Sequence, residues 1–208
     1  MMAIDSQTLV QFLNEELKSQ KISGRVLLDR LCVIDENSRK SPAYLDPNFA
    51  GFYYHLGKKI QAESMLEIGF DLGLLSASFL TSCKTVKKFL GFCENDEQFV
   101  STRLGLKNIK KVLKGIRECY VGSLYDQDLQ PYISSGFDLV IITAEKNYDK
   151  HLEYFDFVWS HLNENGVIAI DNLIKNQPAK QAYMAFSKSK NREPMIFKTR
   201  YGVGLIQK

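Results

Sequence analysis

Two stretches of this chain carry residue types that could do chemistry. The first is Glu67-Ile68-Gly69-Phe70-Asp71-Leu72-Gly73. Glycine at 69 permits a tight turn and a close backbone approach by a ligand, and glycine at 73 lets a helix start pack near the preceding strand. A helix beginning there offers unpaired N–H groups. The dinucleotide fingerprint G-x-G-x-x-G is not matched, because position 71 is Asp, so the crowded double glycine that accommodates a pyrophosphate is lacking. A ligand without a pyrophosphate is expected, and a nicotinamide-dependent oxidoreductase is disfavoured. Glu94 follows about 20 residues later, the interval at which an acid can accept both ribose hydroxyl protons. Glu67 and Asp71 would suit a cationic ligand. The second stretch is split between Thr143-Ala144-Glu145-Lys146-Asn147-Tyr148 and Ile170-Asp171-Asn172. Lys146 could serve as a base if burial or cationic neighbours lowered its pKa, and it reads equally well as a solvated loop lysine. Asp171 could point into a cleft or simply form an Asx turn with Asn172.

Elements of two periods must position these residues. Leu9, Val10, Leu13 and Leu17 recur at helical spacing over about residues 4–20, and a less regular segment follows as far as Ser41-Pro42. Asp46-Pro47 is a helix start with Pro at the first helical position. From Ser64 the pattern becomes strand then helix, repeated. Apolar runs at 65–68, 88–93, 117–121, 137–142 and 167–170 read as strands. Helices are expected over 74–80, 97–111, 124–133 and 178–189. A further helix carries Leu152, Phe155, Trp159 and Leu162 on one face and is ended by Asn165-Gly166. Two closing strands, near Ile196 and at 203–206, have no helix between them and should pair antiparallel. Continuous apolar strands alternating with amphipathic helices imply a parallel sheet covered on both faces. Ligands of such sheets bind at the carboxyl ends of the strands. The chemistry should therefore sit just after Ile68, Cys93, Val121, Ile142 and Ile170.

Composition narrows the function classes. The chain has 208 residues, 45% apolar and 25% charged, which suits one sizeable domain able to bury its own core. A net charge of +3 is too small to demand a nucleic-acid or membrane partner. Cys32, Cys83, Cys93 and Cys119 form no C-x-x-C pair and read as reduced thiols. With no signal peptide or membrane span visible, a cytoplasmic location is expected. Lys107, Lys110, Lys111 and Lys114 share a helical face that reads as a solvated helix end rather than an RNA stripe. Phe52, Tyr53, Tyr54 and His55 read partly as core. His151 and His161 read as surface residues of their helix, and Trp159 as core.

E-x-G-x-x-x-G followed by an acid that ends the second strand resembles the class I S-adenosylmethionine-dependent methyltransferases. Gly122-Ser123 resembles the family's loop after the third strand, Phe137 to Ile142 its fourth strand, and Gly202-Val203-Gly204-Leu205-Ile206 its last, so the likeness covers about residues 49–208. It implies an α/β fold with a doubly wound, seven-stranded, mostly parallel sheet and a C-terminal antiparallel hairpin, preceded by N-terminal helices. Residues 1–62 would form a helical cap on the cofactor-binding domain at 63–208, the two making one compact unit. By that resemblance Glu67 and Gly69 flank the methionine part of the cofactor, Glu94 holds the ribose and Ser123 the adenine. Phe70, Gly73, Asn95, Gly122 and Thr143 complete the expected cofactor contacts.

Thr143-Ala144-Glu145-Lys146 and Asp171-Asn172 are similar to D-A-D-K and D-N in the small catechol and caffeoyl-CoA type O-methyltransferases. The implied activity is O-methylation of a small-molecule acceptor, with Lys146 and Asp171 as catalytic candidates. In that subfamily a divalent cation such as Mg²⁺ orients two substrate oxygens, and Asp171 and Asn172 match its second ligand pair. Thr143 departs from the pattern where the first carboxylate ligand should stand, and a neutral hydroxyl is a poor substitute on Mg²⁺. The sequence thus argues against the metal, with Glu145 as a substitute ligand only if the loop geometry differs. Members of the subfamily are often dimers. Two other functions stay open on sequence alone. One is an inactive methyltransferase-fold interaction protein, and the other is a nucleic-acid methyltransferase, the latter disfavoured by the absence of an N-P-P-Y-like motif.

Overall fold

A computed structural model of the chain describes residues 5–19, 23–93, 99–112, 115, 118–123, 130–134, 136–143 and 147–208. Their strands are β1 (Ser64–Ile68), β2 (Lys88–Cys93), β3 (Glu118–Ser123), β4 (Phe137–Ile142), β5 (Leu162–Ile170), β6 (Met195–Phe197) and β7 (Val203–Gln207). They form one sheet in the order β3-β2-β1-β4-β5-β7-β6. The five strands from β3 to β5 run parallel, and β7 lies antiparallel to both β5 and β6. The chain starts in the middle of the sheet, goes outward through β2 and β3, then returns to build the other half from β4. The order reverses between β1 and β4, and that reversal opens a crevice at their carboxyl ends.

Alternation along each strand divides the sheet's side chains between two cores. Met65, Leu139, Ile141, Val167 and Ala169 face the first core. There they meet Leu9 and Leu13 of α1 (Ser6–Ser19), Leu28 of α2 (Gly24–Leu31), and Phe49, Phe52 and Leu56 of α5 (Pro47–Lys59). Phe79 of α6 (Leu74–Ser82) and Ile109 of α7 (Phe99–Val112) complete that layer. Leu66, Ile68, Val140, Ile142, Ile168 and Ile170 face the second core, against α9 (Tyr148–His161) and α10 (Gln177–Ser189). The N-terminal helices therefore share one core with half of the sheet. No helix among the described residues is long and apolar enough to cross a membrane.

Three sequence expectations change. The segment before Asp46 is helical: α2 is followed by α3 (Glu36–Lys40) and α4 (Pro42–Leu45). These helices are too short to show a hydrophobic period. They are set by their caps: Asp35 accepts from the Ser38 N–H, and Ser41 from the Tyr44 N–H ahead of Pro42. Second, Asn165-Gly166 does not end α9. The helix stops at His161, and Leu162 already pairs with Phe137 as the first residue of β5. Asn165 does take the left-handed conformation (φ 64°), but inside β5, where the register against β4 shifts. Third, His151 is fully buried, its ring stacked on Phe155 one turn later at 6.1 Å. It continues the apolar stripe of α9, so one polar ring at helical spacing misled the reading. Part of the expected helix over 124–133 lies outside the described residues, and α8 (Gln130–Ile133) is what is described of it.

One carboxylate locks the amino ends of the central strands. Asp138, 5% exposed, accepts from the Glu63 N–H (2.7 Å), the Ser64 N–H (3.1 Å) and the Ser64 hydroxyl (3.2 Å) with one oxygen. Its other oxygen accepts from the Asn163 amide at 2.9 Å. It thus ties β1, β4 and β5 together at the end remote from the crevice. Asp138→Ala leaves these donors without an acceptor and should cost roughly 3 kcal/mol. Denaturant unfolding checks this, and a loss below about 0.5 kcal/mol would show the bonds to be dispensable.

Candidate active site

The crevice is built by the ends of β1, β4 and β5. Glu67 belongs to β1, and β1 and β5 both pair with β4 through Ile141: Glu67↔Ile141 on one side and Ile141↔Ala169 on the other. Two residues on, by the period of a strand, Thr143 and Asp171 point to the same face as Glu67. The Thr143 N–H donates to the Ile68 carbonyl at 2.9 Å and the Asp171 N–H to the Ile142 carbonyl at 3.3 Å, which carries the alignment past the strand ends.

At Gly69 the chain turns with φ 84°. The Gly69 and Phe70 N–H groups both donate to the Phe92 carbonyl at 2.9 and 2.8 Å, pinning the turn to the end of β2. A Cβ at Gly69 would stand 2.8 Å from the Thr143 Cβ, so only glycine lets β1 and β4 end this close together. Phe70 is fully buried and edge-on to Phe89 at 5.6 Å, and it fills the spaces left by Gly91 and Gly105. Its side chain anchors the loop in the first core. Gly73 takes a left-handed conformation (φ 63°) and starts α6, whose first residues Leu74 and Leu75 reach the crevice.

A cavity of about 100 Å³ lies here. Glu67, Gly69, Asp71 and Gly73 line it from the loop side, Thr143 and Asp171 from the strand ends, and Leu72, Leu74 and Leu75 add apolar wall. Ser41, Pro42 and Ala43 of α4 and its cap, with Phe49 of α5, close the far side. These last residues were missed by the sequence reading, and the signal for them was the Ser41-Pro42 helix start. The wall has three carboxyl groups and, among the described residues, no Lys, Arg or His.

Glu67 is 3% exposed, and its carboxyl accepts from the Ser76 hydroxyl of α6. Burial pushes its pKa up to about 8, with the Asp171 and Asp71 charges acting the same way and the Ser76 hydrogen bond opposing them. Glu67 is therefore mostly neutral near pH 7. A cation entering the cavity would favour its ionised form.

Glu94, Asn95, Glu145 and Lys146 lie outside the described residues. Gly122 and Ser123 close β3 beside Phe92 and Cys93 of β2. Asn172 follows Asp171 in the left-handed region (φ 60°) and starts a turn, its carbonyl accepting from the Asn176 N–H at 2.9 Å. Its side-chain Oδ1 is buried without a hydrogen-bond partner among the described residues.

The described donors do not fit the divalent cation that the resemblance implies. Asp171 brings a carboxylate, Asn172 a neutral amide oxygen and Thr143 a neutral hydroxyl packed against Gly69, where Mg²⁺ favours carboxylates in near-ideal octahedral geometry. Among the described residues no group of three His, Cys, Asp or Glu could hold a metal ion.

Comparison with known proteins agrees with this architecture. A family model described as "Methyltransferase domain" matches residues 66–173, just over half of the chain. No curated protein matches the chain. Among solved structures, it is similar to the O-methyltransferase TomG from Streptomyces achromogenes in complex with SAM, with 15% identity, 88% of this chain and 94% of that one covered, and a TM-score of 0.61. It is similar to the O-methyltransferase from Bacillus cereus in complex with SAH, with 18% identity, coverage of 100% and 93%, and a TM-score of 0.57. SAH-bound methyltransferase PaMTH1 from Podospora anserina gives 15% identity, coverage of 99% and 97%, and a TM-score of 0.63. With its sheet order, glycine turn and acid-lined crevice, and with the family model spanning the segment that builds them, the chain belongs to the methyltransferase-domain family, the class I S-adenosylmethionine-dependent methyltransferases.

Proposed function

We propose that this methyltransferase acts on a hydroxyl of a small molecule and works without a divalent metal. The observation that carries the reading is Thr143, a neutral residue on the cavity wall beside Asp171, where the metal-dependent pattern needs a carboxylate. The similarity to TomG and the Bacillus cereus protein, both O-methyltransferases, supports the oxygen acceptor. S-adenosylmethionine supplies an electrophilic methyl group on a sulfonium centre. The protein must bind it, align the acceptor, exclude water and take up the acceptor's proton.

Each task has a candidate in this chain. Glu67, Gly69, Gly73 and Thr143 surround the methionine end, with Glu67 and Asp71 suited to its positive charge. Glu94 and Asn95 take the ribose, and Gly122 and Ser123 the adenine. Asp171, 4% exposed at the end of β5, orients the acceptor hydroxyl. Asp171 or Lys146 accepts its proton as the oxygen–methyl bond forms and the sulfonium–methyl bond breaks. Phe49 and the apolar residues of the cavity wall exclude water and suit an uncharged or cationic acceptor better than an anionic one. Pairing of two copies through the N-terminal helices belongs to this reading through the resemblance alone.

Titration calorimetry tests the cofactor: S-adenosylmethionine and S-adenosylhomocysteine should bind at micromolar concentration and NAD should not. The affinity for S-adenosylmethionine should rise with pH and level off above about 8, because the free protein must give up the Glu67 proton to pair with a cation. Glu67→Gln, which cannot titrate, should lose that part of the rise and bind about tenfold more weakly above pH 8. It also separates the effect from titration of the cofactor's own α-amino group. Methyl transfer to catechols and vicinal diols should survive excess chelator, and turnover restored only by added Mg²⁺ would sink the metal-free mechanism.

A further inference from the structure

Ser76 is a fully buried residue of α6 and is not itself part of the cavity wall. A buried serine in a helix has a ready partner in the carbonyl one turn back. The other hydroxyl groups of α6 all donate to backbone carbonyls. Ser78 donates to the Leu74 carbonyl at 2.8 Å, Thr81 to the Ala77 carbonyl at 2.7 Å, and Ser82 to the Phe79 and Tyr54 carbonyls at 3.0 and 2.6 Å. Ser76 donates instead to the Oε2 oxygen of Glu67, nine residues back and on the far side of the glycine turn. The Leu72 carbonyl, one turn before Ser76, accepts from the Asn108 amide at 2.9 Å. Helix formation does not call for the hydroxyl, since alanine is the better helix former and Ala77 beside it is equally buried.

The bond has two consequences for the cavity. It closes the loop that carries Gly69, Asp71 and Gly73, tying the start of α6 to the end of β1. It also divides the two oxygens of Glu67. Oε2 is turned to a residue off the cavity wall, and Glu67 makes no other side-chain hydrogen bond among the described residues. Oε1 is thereby left for the cavity that Glu67 lines. The bond forms whether or not the carboxyl is protonated, so this orientation is set before a ligand arrives. It is stronger to a carboxylate than to a neutral acid, and it counters burial and the charges of Asp171 and Asp71.

We infer that Ser76 is a positioning residue of the cofactor site, whose hydroxyl holds one oxygen of Glu67 so that the other faces the cationic methionine end of S-adenosylmethionine. The inference rests on the reading of Glu67 as a cofactor residue. Ser76 stands off the wall and acts through Glu67 alone. The carboxyl meets the cation in a fixed orientation, so little side-chain freedom is lost on binding.

Calorimetric titration with S-adenosylmethionine between pH 6 and 9 tests this. The proteins compared are the whole chain, Ser76→Ala, Ser76→Cys, Glu67→Gln, and Ser76→Ala combined with Glu67→Gln. Ser76→Ala should bind about tenfold more weakly at pH 7, the size of a lost hydrogen bond to a charged group. Ser76→Cys, close in volume but only a weak donor, should do the same. In the Glu67→Gln background the alanine substitution should change affinity by less than about twofold, because the charged partner has gone. Carbon-13 NMR of the ligand-free protein should show the Glu67 carboxyl titrating near pH 8 in the parent and higher in Ser76→Ala. A merely structural serine would weaken binding equally in both backgrounds and leave that titration unmoved, and this result overturns the inference. Full affinity in Ser76→Cys beside a loss in Ser76→Ala would trace the effect to packing and overturn it too. So would unchanged affinity in Ser76→Ala. Failure of the parent protein to bind S-adenosylmethionine would instead overturn the cofactor reading, and this inference with it.

Discussion

The turn at Gly69 is the constraint on which the rest of the site depends. It joins three strand ends in one step, because its N–H groups are bound to the end of β2 and its missing side chain admits Thr143 from β4. A side chain there would drive β1 and β4 apart, and the crevice at the sheet's reversal would lose its floor. Phe70 makes the turn rigid from below by occupying room that Gly91 and Gly105 leave open. Three glycines and one phenylalanine thus fix where α6 begins and where Glu67 stops.

Once the strand ends are fixed, strand periodicity sets the electrostatics. Glu67, Thr143 and Asp171 share one face of three adjacent parallel strands, so acids far apart in sequence are held in a single buried wall. Burying like charges together is costly, and the protein meets that cost by keeping Glu67 largely protonated. The site is therefore set for a ligand that brings positive charge. A neutral or anionic ligand would leave the acids uncompensated.

The N-terminal helices are part of this arrangement. Phe49 and Pro42 close the cavity, while α5 is held in place from both ends of the chain. Asp46 caps it and also accepts from the backbone N–H of Arg200 in the β6–β7 loop at 2.8 Å. That loop is fastened to the segment after Asp171, with the Ile174 N–H donating to the Tyr201 carbonyl at 2.8 Å. The cavity wall made by Pro42 and Phe49 and the strand end bearing Asp171 are accordingly one connected structure.

The sequence by itself determined the class of fold, because apolar strands broken by Gly69 and Gly73 and covered by amphipathic helices admit few architectures. It also determined the ends of β2 and β4, where the apolar run and the strand coincide, and it marked Glu67 and Asp171 as candidates. Local signals failed where elements are short or polarity is misleading. The capped helices α3 and α4 are too brief for a period, His151 looked like surface, and Asn165-Gly166 carries a left-handed residue into a strand instead of ending a helix. Only the tertiary structure decided that Ser76 reaches Glu67 and that Phe70 turns into the core. Those relations depend on distances between elements that the order of residues does not encode locally. They arise when helices from both ends of the chain pack on the same face of the sheet.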